Sequence, residues 1–512
     1  MASVSGNFSN FVSKSIRVIS LIMSLESAFV SVLAGHFPHS FTSDQAEAVS
    51  QMARFILQPQ ADEVFVLRGY AGTGKTSLVG ALVRTLTDLH REVVLMAPTG
   101  RAAKVFSAYA GQKAMTIHKA IYRQQTFQGE GTRFSLGYNK RKHALFIVDE
   151  ASMIAVGGSG VGTFGTGELL ADLIRFVGEG EGCRLMFVGD TAQLPPVGEE
   201  ESPALSADRL RLYGVRAMVA SLTQVVRQTV GSEVLVEATR LREMITQGTG
   251  ALPLVAAEPR GEVRYLPGNE LIEALVSAYA DCGTDGTIVV TRSNKRANIY
   301  NNGIRARIFD REDELTRGDL VMAVKNNYHW TELAHRPEAD EPPYSGLFSF
   351  IANGDAAEVV RLRNVHEMYG FRFADATLRF ADYDDEEIDC RVLLSTLSSE
   401  SPSLTADEQQ RLFDAVMEDY ADVPSKKERL KRVREDAYYN ALQIKYAYAV
   451  TCHKAQGGQW ERVFVDQGYV TPEMAGISYL RWLYTAMTRT TGRLYLVNWP
   501  EEQKRQPDES EA

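Results

Sequence analysis

Gly69-Tyr70-Ala71-Gly72-Thr73-Gly74-Lys75-Thr76 follows the apolar run Val64-Phe-Val-Leu67 and precedes Ser77-Leu-Val-Gly-Ala-Leu-Val83. The pattern G-x-x-x-x-G-K-[ST], set between a short buried strand and an apolar-periodic helix, predicts a phosphate-binding loop. The three glycines permit positive φ, so that consecutive N–H groups turn into one concavity at a helix N-terminus. Lys75 is expected to reach the β- and γ-phosphates of ATP, and the Thr76 hydroxyl, beside Ser77, to ligate Mg²⁺. The expected class is a nucleoside triphosphatase, and the rest of the chain must say what hydrolysis drives.

The chain has 512 residues, a soft prior for three or four domains, with 45% hydrophobic and 23% charged residues, an ordinary globular composition. Cys183, Cys282, Cys390 and Cys452 lie far apart with no C-x-x-C pair, which speaks against a disulfide framework or a zinc site and fits a reducing cytoplasm. Residues 1–40 form an N-terminal extension in which Lys14 and Arg17 precede Val18-Ile-Ser-Leu-Ile-Met-Ser-Leu25. That run is too short to span a bilayer and ends at Glu26, so the expectation is a docking helix, or a leader upstream of a start near Met23. Asp44 or Ser43 is expected to cap the next helix, which presents Gln45 for the adenine edge.

A second strand, Val93-Val-Leu-Met96, leads into Ala97-Pro98-Thr99-Gly-Arg101-Ala-Ala-Lys104, and Thr116-Ile-His118 follows. Strands alternating with helices predict a parallel α/β sheet with ligands at the carboxyl ends of its strands, where Pro98, Thr99, Arg101, Lys104, Thr116 and His118 would meet a sugar-phosphate backbone. Residues 101–148 hold nine Lys or Arg against the single acid Glu130, in a chain whose net charge is −10. A basic window of this kind predicts contact with a polyanion, and Tyr109, Tyr122, Phe127, Phe134 and Tyr138 offer stacking faces.

The third strand, Ala144-Leu-Phe-Ile-Val148, delivers Asp149 and Glu150, which reads as the Walker B pair: Asp149 for Mg²⁺ and Glu150 to orient and deprotonate the attacking water. A glycine-rich segment at 157–167 lacks a closing Lys-Thr and is expected to be a loop. The fourth strand, Arg184-Leu-Met-Phe-Val188, runs into Gly189-Asp190-Thr-Ala-Gln193-Leu-Pro-Pro, placing Asp190 and Gln193 near the γ-phosphate.

Leu222-Thr-Gln-Val-Val-Arg227-Gln228, Tyr448-Ala-Val-Thr451-Cys-His453-Lys454-Ala-Gln456-Gly457 and Leu483-Tyr484-Thr-Ala-Met-Thr488-Arg489 complete a series that, in order and spacing over residues 41–495, resembles the superfamily 1 DNA helicases of the RecD-like (Dda-like) group. The resemblance implies an α/β fold of two RecA-like motor domains, with ATP between them and single-stranded DNA across their top, moving 5′-to-3′ and unwinding duplex in repair, recombination or replication. It implies that Gln45 reads adenine, that Lys75, Thr76, Asp149 and Glu150 hydrolyse ATP, that Gln193 senses the γ-phosphate and that Arg227 and Arg489 reach it from the second motor. A guanidinium inserted as the cleft closes suits a dissociative phosphoryl-transfer state. Thr451, His453, Lys454 and Gln456, after the expected strand Tyr446–Val450, are candidates for DNA contact.

The expected division is motor 1 over 41–205, motor 2 over 206–305 and 446–500, an insertion over 306–445 and a polar tail over 501–512. Short β-prone runs at Leu320–Val324, Ala356–Val360, Phe371–Leu378 and Cys390–Leu394 predict a small barrel, which the resemblance identifies as SH3-like. The acidic stretch Asp382–Asp389 reads as a solvated turn, and charged helices are expected from Thr405 to Gln443. Within motor 1, the runs at 123–128 and 132–138 around Gly129-Glu-Gly131 predict a hairpin; the resemblance implies a pin at this place, over about 123–140, with Phe127 or Phe134 to stack on the opening base pair. The expected substrates are single strands and duplex junctions, for a chain acting as a monomer. RNA is the alternative track, since backbone contacts separate the two nucleic acids poorly, and a nucleotide-binding scaffold without hydrolysis is a third reading.

Overall fold

The structure is a computed structural model that describes residues 23–58, 60, 62–125, 133–157, 166–226, 231–335, 348 and 350–505. Strands β1 (Glu63–Gly69), β2 (Val93–Ala97), β3 (Ala114–Thr116), β6 (Leu145–Val148), β7 (Arg184–Gly189) and β8 (Arg216–Leu222) form one parallel sheet in the order β3-β2-β6-β7-β1-β8; β4 (Tyr122–Gln125) and β5 (Arg133–Leu136) form a separate antiparallel pair. Along β1, Phe65 and Leu67 enter the core layer built with helices Ser43–Leu57 and Lys75–Asp88, while Val64 and Val66 enter the opposite layer with helix Leu169–Gly178. Both faces are covered, which is why the strand reads as a continuous apolar run. Burying each of these side chains contributes about 1.5–3 kcal/mol.

Two local expectations change. The cap of helix Ser43–Leu57 is Thr42, whose side chain accepts from the Gln45 N–H in a capping box, and Asp44 instead accepts from the Thr223 N–H and hydroxyl at 2.8 and 2.6 Å. The first sheet does not end at residue 205: β8 pairs with β1 from Glu63↔Arg216 to Gly69↔Leu222. As a half-exposed edge strand, β8 lacks the unbroken apolar run by which the buried strands are legible. Of the N-terminal extension, residues 1–22 lie outside the described residues; residues 23–36 are helical and dock Phe29 and Leu33 into the core of the first motor.

The second parallel sheet is β16-β10-β17-β18-β9, from β9 (Val263–Leu266), β10 (Thr287–Thr291), β16 (Ala449–Thr451), β17 (Trp460–Asp466) and β18 (Thr490–Val497). Between β10 and β16 the chain builds a closed barrel of β11 (Leu320–Ala323), β12 (Ala356–Met368), β13 (Phe371–Phe380), β14 (Glu386–Leu393) and β15 (Leu442–Tyr446). Helices Ala406–Asp419 and Lys426–Glu435 lie between β14 and β15. The expected single strand Tyr446–Val450 is two: β15 closes the barrel, and β16 joins the motor sheet. Tyr448 marks the bend, its hydroxyl accepting from the Leu320 N–H at 3.0 Å and from Arg311 at 2.6 Å. Arg305 and Arg311 both donate to the fully buried Asp319 at 2.9 Å, so the chain is pinned where it leaves for the barrel and where it returns. Among the described residues, no helix is long and apolar enough to cross a membrane.

Candidate nucleotide site and nucleic-acid interface

The loop after β1 turns through Gly72 and Gly74, at φ +74° and +78°, before helix Lys75–Asp88 begins. A Cβ at Gly69 would lie 2.5 Å from Lys75 Cγ, so that position has room only for glycine. Lys75 donates to the carbonyl oxygens of Gly69 and, at 3.2 Å, Tyr70, while Thr76 and Ser77 stand exposed on the first helical turn. Gln45 does reach this loop. Its amide N–H₂ donates to the Thr73 carbonyl at 2.9 Å and its oxygen accepts from the Thr42 N–H at 3.0 Å, so both ends of the amide are held by backbone.

Asp149 and Glu150 leave β6, which is separated from β1 by β7, at the same sheet end as the loop. Burial raises the carboxyls of both above their ordinary range; the Tyr109 hydroxyl bonded to Asp149 and the charge of Lys75 oppose this at Asp149, and the charges of Arg489 and Lys75 oppose it at Glu150. Glu150 sits at φ 49°, a sparsely populated conformation for a non-glycine residue and a frequent one at functional sites. Hydroxyl and carboxylate oxygens, with a lysine and a helix N-terminus beside them, are a donor set that fits a nucleoside triphosphate and a hard divalent cation.

The second motor closes against this site. Arg489 is 4% exposed and is oriented by the Thr485 carbonyl at 3.0 Å and the Gly458 carbonyl at 3.3 Å. The Ala71 N–H donates to the Tyr484 hydroxyl at 2.8 Å, and that hydroxyl donates to Asp190 at 2.7 Å. The Leu194 N–H donates to the Thr485 hydroxyl at 2.8 Å, and Gln456 donates to the Leu194 carbonyl at 2.7 Å. Gln456, expected at the DNA, is thus buried between the motors. Gln193 is also buried there, and its side-chain oxygen has no hydrogen-bond partner among the described residues, so it remains able to accept from a ligand or water. Arg227 lies outside the described residues; its neighbour Val226 donates its N–H to the Gly72 carbonyl at 3.0 Å.

The other nucleic-acid candidates gather where the two motors and the barrel meet. Thr99 caps helix Gly100–Ala110, next to Pro98 at the end of β2. Arg101 lies over the Trp460 ring, 4.1 Å from its centroid, and Lys104 contacts the barrel through the Ala381 carbonyl at 2.9 Å and Asp382 at 3.3 Å. Asp382 is therefore paired rather than part of a wholly solvated turn. Thr116 caps helix Ile117–Ile121, and His118 sits between Tyr122 and Phe350, with burial pulling its imidazole down to about 4. Lys454 bonds Asn353 of the barrel, and burial lowers it to about 8. Burial also lowers His453, while Thr451 ends β16.

Part of the expected stacking and charge is committed elsewhere. Tyr109 bonds Asp149, and Tyr122 is buried with its hydroxyl on Asp172 at 2.8 Å. Arg141 and Lys142 pair with Glu92 and Glu181, acids outside the basic window. Tyr138 remains 72% exposed. The hairpin stem is present, with Tyr122↔Leu136 and Gln124↔Phe134 paired. Phe127 and the Phe134 side chain lie outside the described residues, as do residues 158–165 of the glycine-rich segment and 506–512 of the tail. Asp190 and Tyr484 were both visible in the sequence, but their bond joins residues 294 positions apart that no local pattern connects.

The model of an AAA domain matches residues 40–265, and that of a UvrD-like helicase C-terminal domain matches residues 446–497. An ATP-dependent RecD2 DNA helicase of Deinococcus radiodurans is 28% identical over 298 residues, 56% of this chain and 36% of its own length. The ATP-dependent DNA helicase dda of Enterobacteria phage T4 is 22% identical over 420 residues, 78% of this chain and 86% of its own. The chain thus spans little more than a third of the first relative and most of the second. A crystal structure of a Bacteroides Pif1 helicase in complex with ADP-AlF3 and ssDNA gives a TM-score of 0.42 at 14% identity, covering 92% of this chain and 96% of that one. The loop, the Asp149-Glu150 pair and Arg489 fall within the two matched domains, on opposite sides of one cleft, and in these domains the chain is similar to the RecD-like superfamily 1 helicases.

Proposed function

We propose that the chain is an ATP-driven DNA helicase that moves 5′-to-3′ along a single strand and opens the duplex ahead of it. The observation that supports this most is the cleft: Lys75, Asp149 and Glu150 stand on one side, and Arg489, whose charge acts on Glu150, on the other. Lys75 and the N–H groups at the helix start would hold the phosphates of bound ATP, and Thr76 and Asp149 would hold Mg²⁺, which would supply charge neutralisation for phosphoryl transfer. Glu150 orients the attacking water and takes its proton; its raised proton affinity suits that task. Arg489, with Arg227, neutralises charge on the transferring phosphoryl group as the cleft closes. Gln193 accepts or donates beside the γ-phosphate, and Gln45 holds the loop from behind through Thr73.

Thr485 and Gln456 tie the Asp190–Leu194 segment to the second motor, so opening and closing of the cleft moves Thr99, Arg101 and Lys104 relative to His453 and Lys454. That is the displacement a single strand lying across the junction would follow. Parallel ATPase titrations with oligo-dT and oligo-U test the reading. Stimulation by oligo-dT is expected; stimulation by oligo-U alone favours an RNA track, and absence of hydrolysis with either overturns the motor reading.

A further inference from the structure

Helix Lys426–Glu435 carries six Lys or Arg against two Glu in ten residues, whereas the chain as a whole has a net charge of −10. Val433 is its buried side chain among the described residues, packed with Leu412, Val416 and Phe373. Lys427, Lys431 and Arg434 fall at i, i+4 and i+7, one stripe about 10 Å long on the same face. Among the described residues the ion pair on this helix joins Arg432 to Glu428 at 4.0 Å, and the three residues of the stripe have none. A merely solvated helix gains from alternating charge; a one-sign stripe repels itself and is explained by a partner.

Its place in the fold says which partner. The helix end is fixed by Asn440, which donates to the Arg434 carbonyl at 2.6 Å and whose own carbonyl accepts from Asn327 and from the Trp330 indole, each at 2.8 Å. Next to these, Tyr328 stacks on Phe350 at 4.7 Å, and Phe350 meets His118 at 6.1 Å, one turn before the hairpin stem begins at Tyr122. A relay of contacts through Asn440, Trp330, Tyr328 and Phe350 thus links the end of the basic helix to His118, in the helix that leads into the hairpin stem.

Resting on the helicase reading above, we infer that Lys427, Lys431 and Arg434 bind the phosphate backbone of the duplex that has yet to be opened. About 10 Å of duplex axis carries roughly six phosphates, enough for three cations to engage without sequence preference. Holding the duplex against the hairpin keeps the junction in place between steps of the motor.

The test compares the wild type with the triple variant Lys427→Gln, Lys431→Gln, Arg434→Gln on two probes, a 5′ single-stranded oligo-dT and the same tail joined to a 20-base-pair duplex. The expected result is a loss of about tenfold or more in affinity for the tailed duplex at low salt, with the slope of log K against log salt shallower by about 2.7. Affinity for the single strand and the ATPase it stimulates stay unchanged. The charge-keeping variant Lys427→Arg, Lys431→Arg, Arg434→Lys restores duplex binding if the effect is electrostatic. Equal losses on both probes would place the stripe on the single-strand track, and no loss on either would leave a protein partner as its target; each result overturns the inference. Because the single-strand ATPase is read in the same samples, failure here is distinct from failure of the helicase reading.

Discussion

The Tyr484 hydroxyl donates to Asp190 at 2.7 Å while accepting the Ala71 N–H at 2.8 Å, so one side chain of the second motor bonds both the phosphate-binding loop and the segment that carries Gln193. Asp190 is 1% exposed and Tyr484 is likewise buried, and losing a buried hydrogen bond of this kind costs about 1–3 kcal/mol. Tyr484→Phe keeps the ring and removes only this bridge. Its maximal ATP turnover with oligo-dT is expected to fall about tenfold, with single-strand affinity within twofold of the wild type. Unchanged turnover in steady-state assays would show that the bridge does not couple the motors.

Lys104 is held by Asp382 at 3.3 Å across the seam between the first motor and the barrel, on the path assigned to the single strand. Lys104→Ala is expected to weaken oligo-dT binding and to reduce its salt slope by about 0.7, the contribution of one single-strand phosphate contact. Asp382→Asn should act in the opposite direction, since it releases Lys104 for the backbone. Anisotropy titrations at several salt concentrations distinguish these signs, and a parallel loss in both variants would make the pair structural.

His118 gives a pH signature. Burial pulls its imidazole down to about 4 from an ordinary 6.5, so the unfolded chain binds a proton in that interval that the folded chain refuses. The folded state therefore has its full share of this stability above pH 6.5 and loses it as pH falls toward 4, by about 3 kcal/mol in the limit. Urea denaturation of the wild type and of His118→Gln between pH 7 and pH 4.5 should show a shallower decline in the variant. Parallel curves would remove His118 as the cause.

Replacing residues 125–137 with a short Gly-Ser linker removes the whole of β5 and so every pair of the hairpin stem, while leaving Tyr122 and its bond to Asp172 in place. The single-strand-stimulated ATPase should stay within about twofold, and strand separation per ATP should be lost. Separation that survives would move the wedge to the barrel.

The motor core is legible because β1, β2, β6 and β7 are buried on both faces and announce themselves as apolar runs ending in chemistry-bearing residues. The half-exposed β8 does not announce itself, and the bend at Tyr448 is hidden because residues 446–450 read as one apolar run across it. Within the site, Lys75, Asp149, Glu150 and Arg489 could be read from short motifs. Where Tyr109, Lys104 and Gln456 spend their polar groups could not, since Asp149, Ala381 and Leu194 are 40, 277 and 262 residues away in sequence. Residue type and spacing predict which groups reach a strand end, but the partner that claims each group is decided by tertiary packing.

The most direct test of the account follows ATP turnover and strand separation together on a forked DNA with a 5′ single-stranded tail. The wild type should separate the strands in proportion to ATP hydrolysed, and Glu150→Gln should bind the tail with unchanged affinity yet neither hydrolyse nor separate. Near-normal turnover in Glu150→Gln, or wild-type turnover on the fork with no strand separation at all, would contradict it.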